Sequence, residues 1–278
     1  MNTMRVAAAV AVLSAVAVDP GHAAQPPEPI VLRGHTKAVS VVSWSTDGRA
    51  LATAGDDRTI RVWDPATGRQ TASLPEIARQ GYGGPVVVFT PNLEAAAINY
   101  WGKVTIRRVA DGKVLASIDP IPDVPGQRAA FRPDVFAMAM SPDGKRLATA
   151  GSVGVVGGRH GLPGGVVIVW DVETGRPVHQ SAPLSTAASC VAWSSDGTRY
   201  TAGTNGAGGE LPEPGEVWVW DAETGKVLHN FKVKPEVAPG EWASAGDVAF
   251  SPDGKRIAAP ITAGSRGKPA GLLINDTG

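Results

Sequence analysis

The chain has 278 residues, 43% hydrophobic and 19% charged, with 34 glycines and 23 prolines. That composition fits a globular, turn-rich protein with one sizeable core and excludes a disordered or fibrous chain. Lys plus Arg equals Asp plus Glu at 26 each, so overall charge draws the chain neither to nucleic acid nor to an anionic membrane.

Residues 1–24 read as an export signal. Arg5 supplies a positive start, Val6–Val18 is an apolar run of 13 residues, and Gly21-His22-Ala23 offers a small-x-small cleavage site. A membrane span needs about 20 apolar residues, so the run is too short to cross a bilayer; a buried first helix or strand is the alternative. The expectation is cleavage after Ala23 or Ala24 and a mature chain, residues 25–278, in the periplasm or outside the cell.

The mature chain repeats itself. Ser-x-Asp-Gly occurs at Ser45–Gly48, Ser141–Gly144, Ser194–Gly197 and Ser251–Gly254, and Val-Trp-Asp-x-x-Thr-Gly at Val62–Gly68, Val169–Gly175 and Val219–Gly225. A period of roughly 40–50 residues marks stacked units, none of which can bury its apolar face alone. In the first unit, Val39–Ser45 alternates apolar and small polar residues as a half-buried strand does. Thr46-Asp47-Gly48 is a tight turn, Ala50–Gly55 and Thr59–Trp63 are further strands, Pro65–Gly68 turns again, and Gln70–Leu74 is the fourth strand. Further units follow over about Val86–Ile118, Val135–Ala182, Ser189–Lys232 and Gly246–Gly278. In the second, Thr90-Pro91-Asn92 replaces the first turn and Val109-Ala110 stands where Trp-Asp is expected. Cys190, the one cysteine, lies in Ser-Cys-Val-Ala-Trp-Ser, a core strand by pattern, where a thiol behaves as a small hydrophobe.

The unit Gly34–Asp64, with Gly34-His35, the Ser-x-Asp-Gly turn, Asp57 and the closing Trp63-Asp64, resembles a WD repeat of the beta-transducin kind, and weaker copies extend the resemblance over about residues 28–278. It implies an all-β propeller, here of five four-stranded blades. The last unit stops after its third strand, and in this family the stretch before Gly-His is the last strand of the preceding blade. Ile30–Leu32 is therefore expected to complete blade five and close the ring. A fragment of a larger propeller is the alternative, since the family more often has seven blades. The resemblance also makes His35, Thr53, Asp57 and Trp63 a structural hydrogen-bonded tetrad inside the blade. Hydrolytic use of the same residue types would need an exposed nucleophile beside an oxyanion hole.

No phosphate loop, haem motif or Cys/His cluster for zinc is found, so no cofactor or metal is expected. His160 lies in a Gly-rich insertion, and His179 and His229 in fourth strands. Asp134 and Asp247 sit near the starts of innermost strands; a glycosidase would need opposed acids about 5–10 Å apart. The long irregular stretches 119–134, 152–164, 204–215, 233–245 and 263–270 all fall at one end of the blades, which in repeat proteins marks the binding face. That face carries Arg128, Arg159, His160, Glu210, Glu213, Trp242, Arg266 and Lys268. Trp242 is its candidate anchor, or else packs over its own blade. The mixed charge argues against nucleic acid. The expected function is a monomeric, non-enzymatic scaffold for a protein or peptide partner. An enzyme or accessory propeller with a small ligand in its central channel is the alternative.

Overall fold

The computed structural model describes residues 29–75, 86–100, 103–118, 135–153, 164–206, 214–233, 243–263 and 268–277. They form five antiparallel sheets and no helix. Blade one is β1 (Val39–Trp44), β2 (Leu51–Gly55), β3 (Ile60–Asp64) and β4 (Arg69–Leu74). Blade two is β5 (Val87–Phe89), β6 (Ala95–Tyr100), β7 (Lys103–Arg108) and β8 (Val114–Ile118). Blade three is β9 (Val135–Met140), β10 (Arg146–Val153), β11 (Gly164–Asp171) and β12 (Pro177–Gln180). Blade four is β13 (Ala188–Trp193), β14 (Arg199–Thr204), β15 (Glu216–Asp221) and β16 (Val227–Lys232). Each is a meander with strands paired in chain order. Blade five differs: β17 (Ala243–Ala245) and β18 (Ala249–Phe250) share one edge of β19 (Arg256–Ala263), and β20 (Lys268–Asp276) pairs its other edge.

The repeated phrases are turns with a common wiring. The Ser45 hydroxyl donates to Asp47 at 2.7 Å and accepts the Ala50 N–H at 2.9 Å, while Asp47 accepts the Arg49 N–H at 3.0 Å. Gly48 takes φ 69°, a left-handed geometry that costs glycine nothing. Ser141, Ser194 and Ser251 repeat the arrangement. Blade two builds it from Thr90 and Asn92, and Leu93 takes the glycine's place at φ 58°. Leu93 is 5% exposed and packed between blades one and two, so apolar burial offsets the backbone cost.

The core lies between blades. Alternation along the second and third strands gives each blade a front and a back apolar face. The front of blade one (Ala52, Ala54, Ile60, Val62) meets the back of blade two (Phe89, Ala96, Ile98). The same union recurs at the next three junctions, ending where Val217 and Val219 meet Ile257 and Ala259. The Ser-x-Asp-Gly turns abut as well: the Thr46 N–H donates to the Pro91 carbonyl at 2.9 Å, and the Ser195 hydroxyl to the Pro252 carbonyl at 2.7 Å. Antiparallel order puts these turns at one end of the blades, and the long connections 119–134, 154–163, 205–215 and 233–242 leave from the other.

Three details differ from the sequence reading. In blade two, Arg107-Arg108, not Val109-Ala110, occupy the Trp-Asp place, because the Gly112 N–H bonds the Arg108 carbonyl as Gly68 bonds Asp64 and Gly175 bonds Asp171. Blade five starts at Ala243, inside a stretch read as irregular, since the Gly215 N–H bonds the Ala243 carbonyl at 2.8 Å and draws that segment into the sheet stack. Ile30–Leu32 carries no strand pairing among the described residues.

Two glycine substitutions separate backbone strain from junction packing. Nothing lies within 4 Å of a Cβ placed on Gly48, so Gly48→Ala is expected to cost only the left-handed penalty, ~1–2 kcal/mol. A Cβ on Gly165 collides with the Thr186 carbonyl and approaches the Ala188 nitrogen to 2.8 Å. Gly165→Ala is expected to lower stability by more, measured by urea denaturation; equal losses would contradict this ranking.

Candidate functional site

The densest polar cluster among the described residues is in blade one, where the chain before β1 folds back against β2 and β3. His35 Nδ1 donates to Asp57 Oδ2 at 2.9 Å, the Thr53 hydroxyl meets His35 Nε2 at 2.7 Å, and Trp63 Nε1 donates to the Thr53 hydroxyl at 2.8 Å. One proton arrangement satisfies all of them: Trp63 to Thr53, Thr53 to His35, His35 to Asp57. The His35 and Asp57 side chains are only 7% and 4% exposed. Asp57 also accepts the Thr36 N–H at 3.0 Å and the Thr59 hydroxyl at 2.9 Å. Burial alone would raise its carboxyl, but the Thr36 N–H, the Thr59 hydroxyl and His35 outweigh it and hold the pKa at about 2. Thr53 is committed at its oxygen and buried, so it offers no free nucleophile.

The chain superposes on one chain of a solved mitotic checkpoint complex with a TM-score of 0.56 at 16% identity, covering 87% of this chain and 65% of that one. The family model for the WD domain, G-beta repeat, matches residues 28–64, the segment that contains the whole tetrad. Residues 28–64 thus match a WD repeat, and the described sheets have the fold of a WD-repeat propeller. Curated relatives include a ribosome biogenesis protein BOP1 homolog of Drosophila virilis, 31% identical over 44% of this chain and 14% of its own length. Protein Mut11 of Chlamydomonas reinhardtii is 57% identical over 13% of this chain and 10% of its own, and protein HIRA of Xenopus laevis 33% identical over 29% and 7%. This chain thus spans less than a sixth of the length of each.

The other WD units keep the tetrad only in part. In blade three Trp170 Nε1 still donates to the Thr149 hydroxyl at 2.9 Å. In blade four the ladder places Ala202 where Thr53 stands in blade one, and Trp220 instead stacks on Tyr200 at 5.1 Å. In blade two the position of Trp63 is taken by Arg107, whose Nε is buried without a partner.

Of the predicted interaction face, Arg128, Arg159, His160, Glu210, Glu213, Trp242 and Arg266 lie outside the described residues, as does Asp134; Lys268 opens β20 opposite Ala263. Asp247 is exposed and accepts the Val248 N–H at 2.8 Å. His179 and His229 reach neighbouring blades: His179 lies against Gly225, and His229 Nε2 meets the Thr277 carbonyl at 3.1 Å. Cys190 is buried, and burial pushes its thiol up to about 11. No group of three His, Cys, Asp or Glu side chains that could hold a metal occurs among the described residues. An open, largely apolar groove runs between blades one and two, past Val62, Ala72, Leu93 and Leu115, with Glu94 and Arg108 at its margin. Sequence reasoning missed two cross-blade bonds, from Arg146 to the Ala222 carbonyl and from Arg199 to the Thr277 carbonyl. The signal was available: both arginines sit five residues after the turn serine.

Asp57→Ala leaves the His35 N–H, the Thr36 N–H and the Thr59 hydroxyl unsatisfied and is expected to cost about 1–3 kcal/mol in thermal or urea unfolding. The carboxyl titrates at about 2 in the folded chain against 3.8 normally, so its contribution is complete above pH 3.8 and is lost as pH falls toward 2. Wild type is therefore expected to lose more stability between pH 4 and pH 2 than Asp57→Asn does. Parallel acid-unfolding curves would show the carboxylate is not held as described.

Proposed function

We propose that this WD-repeat propeller is an exported, non-enzymatic scaffold that holds a protein or peptide partner on the end of the blades from which its long connections leave. The supporting observation is the contrast between the two ends. At the tight-turn end each Ser-x-Asp-Gly aspartate is consumed by a serine hydroxyl and a backbone N–H, the Asp-x-x-Thr-Gly aspartates by a threonine hydroxyl and a backbone N–H, and two pairs of adjacent turns are bonded together, leaving little adaptable chemistry. The opposite end carries the connections free to vary without disturbing the sheets, with Trp242, Glu210 and Glu213 among their residues. In the described part, the Ser/Thr–His–Asp set of blade one is spent on holding the blade, which favours binding over hydrolysis. Relatives named for ribosome biogenesis and protein transport, and a solved neighbour that is part of a multi-protein complex, support a role in assembly.

Export rests on Arg5, the apolar run and the small-residue site after it. The mature protein recovered from the medium or periplasm is expected to begin at Ala24 or Gln25 by intact mass; retention of residues 1–24 in the folded protein would refute the signal. For the binding face, affinity capture from the envelope fraction is compared across variants. Glu210→Lys with Glu213→Lys, or Trp242→Ala, is expected to cut capture at least tenfold with little change in melting temperature. Charge reversals at Lys145, Glu173, Glu223 and Lys255 on the tight turns leave it intact. The opposite pattern would move the binding face to the turns.

A further inference from the structure

The junction between blades one and two is closed on its inner side and open on its outer side. Ala52, Ala54 and Ile60 are buried in one cluster with Phe89, Ala96 and Ile98. Further out, a groove of about 570 Å³ runs between the sheets, with Val62 and Ala72 on one wall and Leu93, Val109 and Leu115 on the other. Val62 is 8% exposed, whereas Ile106 and Val169, at the same ladder position in blades two and three, are 0% exposed. The opening has a cause in the sequence. At the next two junctions the outer space holds a tryptophan: Trp170 joins Ile106 and Ala116 of blade two in one buried cluster, and Trp220 joins Val169 of blade three. In blade two the ladder puts Arg107 at that place, opposite Ala96 as Trp170 is opposite Leu147. The blade-one equivalents of Ile106 and Ala116 are Val62 and Ala72, which form the groove's wall.

Arg107 is chemically unspent. Val104 and Ile106 turn toward blade three, so alternation along β7 turns Arg107 toward blade one. Its Nε is buried without a partner, and its guanidinium makes no hydrogen bond or ion pair among the described residues. The charges at the groove's margin are already engaged: Arg108 pairs with Asp111 at 2.9 Å, and Glu94 accepts from Asn92 Nδ2 at 2.9 Å. A partly desolvated guanidinium without an acceptor is costly until a carboxylate supplies one, and that pairing is among the stronger hydrogen bonds a protein makes. Beside it, Val114 and Leu115 leave apolar surface in water, 48% and 44% exposed, which is stabilising to cover.

We propose that this groove is a further binding site, for an extended acidic segment of a partner protein. The segment sets an aromatic side chain between Val62, Ala72, Leu93 and Leu115 and a neighbouring carboxylate on the Arg107 guanidinium. The aromatic ring takes the space that Trp170 and Trp220 fill from within the chain at the next two junctions, and the acidic flank answers the unpaired charge. A small-molecule site buries most of its ligand; an open groove does not, whereas a peptide needs only one side chain buried and is held by its flanks. The site lies at the turn end of blades one and two, apart from the long connections, so it stands or falls separately from the binding face proposed above.

Titration calorimetry of the full chain with three peptides tests it: acetyl-Asp-Glu-Trp-Glu-Asp-amide, the same peptide with Ala for Trp, and the same peptide with Asn and Gln for its acids. The first is expected to bind at least tenfold more tightly than either of the others, and more weakly as salt rises. Arg107→Gln removes most of the preference for the acidic peptide over its amide form. Arg107→Trp fills the groove and abolishes binding of both without lowering the melting temperature. Leu115→Glu changes a side chain that is already 44% exposed, so the fold is kept while the acidic peptide binds at least tenfold more weakly. No binding by any of the three peptides, or equal binding by all three, overturns the site. So does an affinity for the acidic peptide that Arg107→Trp and Leu115→Glu leave unchanged. A preference for acid that survives Arg107→Gln overturns the role given to Arg107.

Discussion

The packing of one blade's front on the next blade's back is the interaction on which everything else rests. A single four-stranded meander has two apolar faces and no interior, and only stacking makes a core. The residues that do this are small in the second strand (Ala52, Ala54, Ala148, Ala150) and branched in the third (Ile60, Val62, Val167, Val169). Small against branched lets neighbouring sheets approach closely and interdigitate. The polar ties between adjacent blades gather mostly at the blade ends, where the Ser195 hydroxyl, Arg146 and Arg199 reach carbonyls of the next blade.

The tetrad makes sense within this scheme. Trp170 and Trp220 are roofed by the front of the preceding blade. Trp63 has no such neighbour in the described arc, yet is 1% exposed. It is covered by the segment around Gly34 and His35, since a Cβ on Gly34 would lie 3.0 Å from the Trp63 ring. His35, Thr53 and Asp57 pin that segment down, helped by the Asp56 N–H donating to the Ala38 carbonyl at 2.8 Å. Blades two, three and four, each covered by the preceding blade, do without the full tetrad.

Much of this was legible in the sequence because turns depend on local chemistry. Ser45, Asp47 and Gly48 each have a role that no other residue type fills as well, and counting their copies gave the blades. The misplacement of Trp-Asp in blade two arose from following apolar character to Val109-Ala110; counting back from Gly112, whose left-handed φ of 72° fixes the turn, leads to Arg107-Arg108. The front and back faces were not legible, since alternation shows that a strand has two faces but not which neighbour each will meet. The cross-blade arginines share that difficulty: their partners are backbone carbonyls about 75 residues away, which have no sequence identity to recognise. The interaction face was read from topology and composition, which gather the long connections at one end of the blades.

The central claim is that stability resides in the junctions between blades and not in the strands as such. Urea unfolding of valine-to-alanine variants tests it most directly, because the same chemical change can be made inside and outside a junction. Val169→Ala and Val219→Ala, both fully buried between blades, should each cost about 1.5–3 kcal/mol. Val114→Ala and Val227→Ala, in strands but 48% and 51% exposed, should stay within about 0.5 kcal/mol of wild type. Comparable losses in the two sets would place the stability within the sheets and contradict the account.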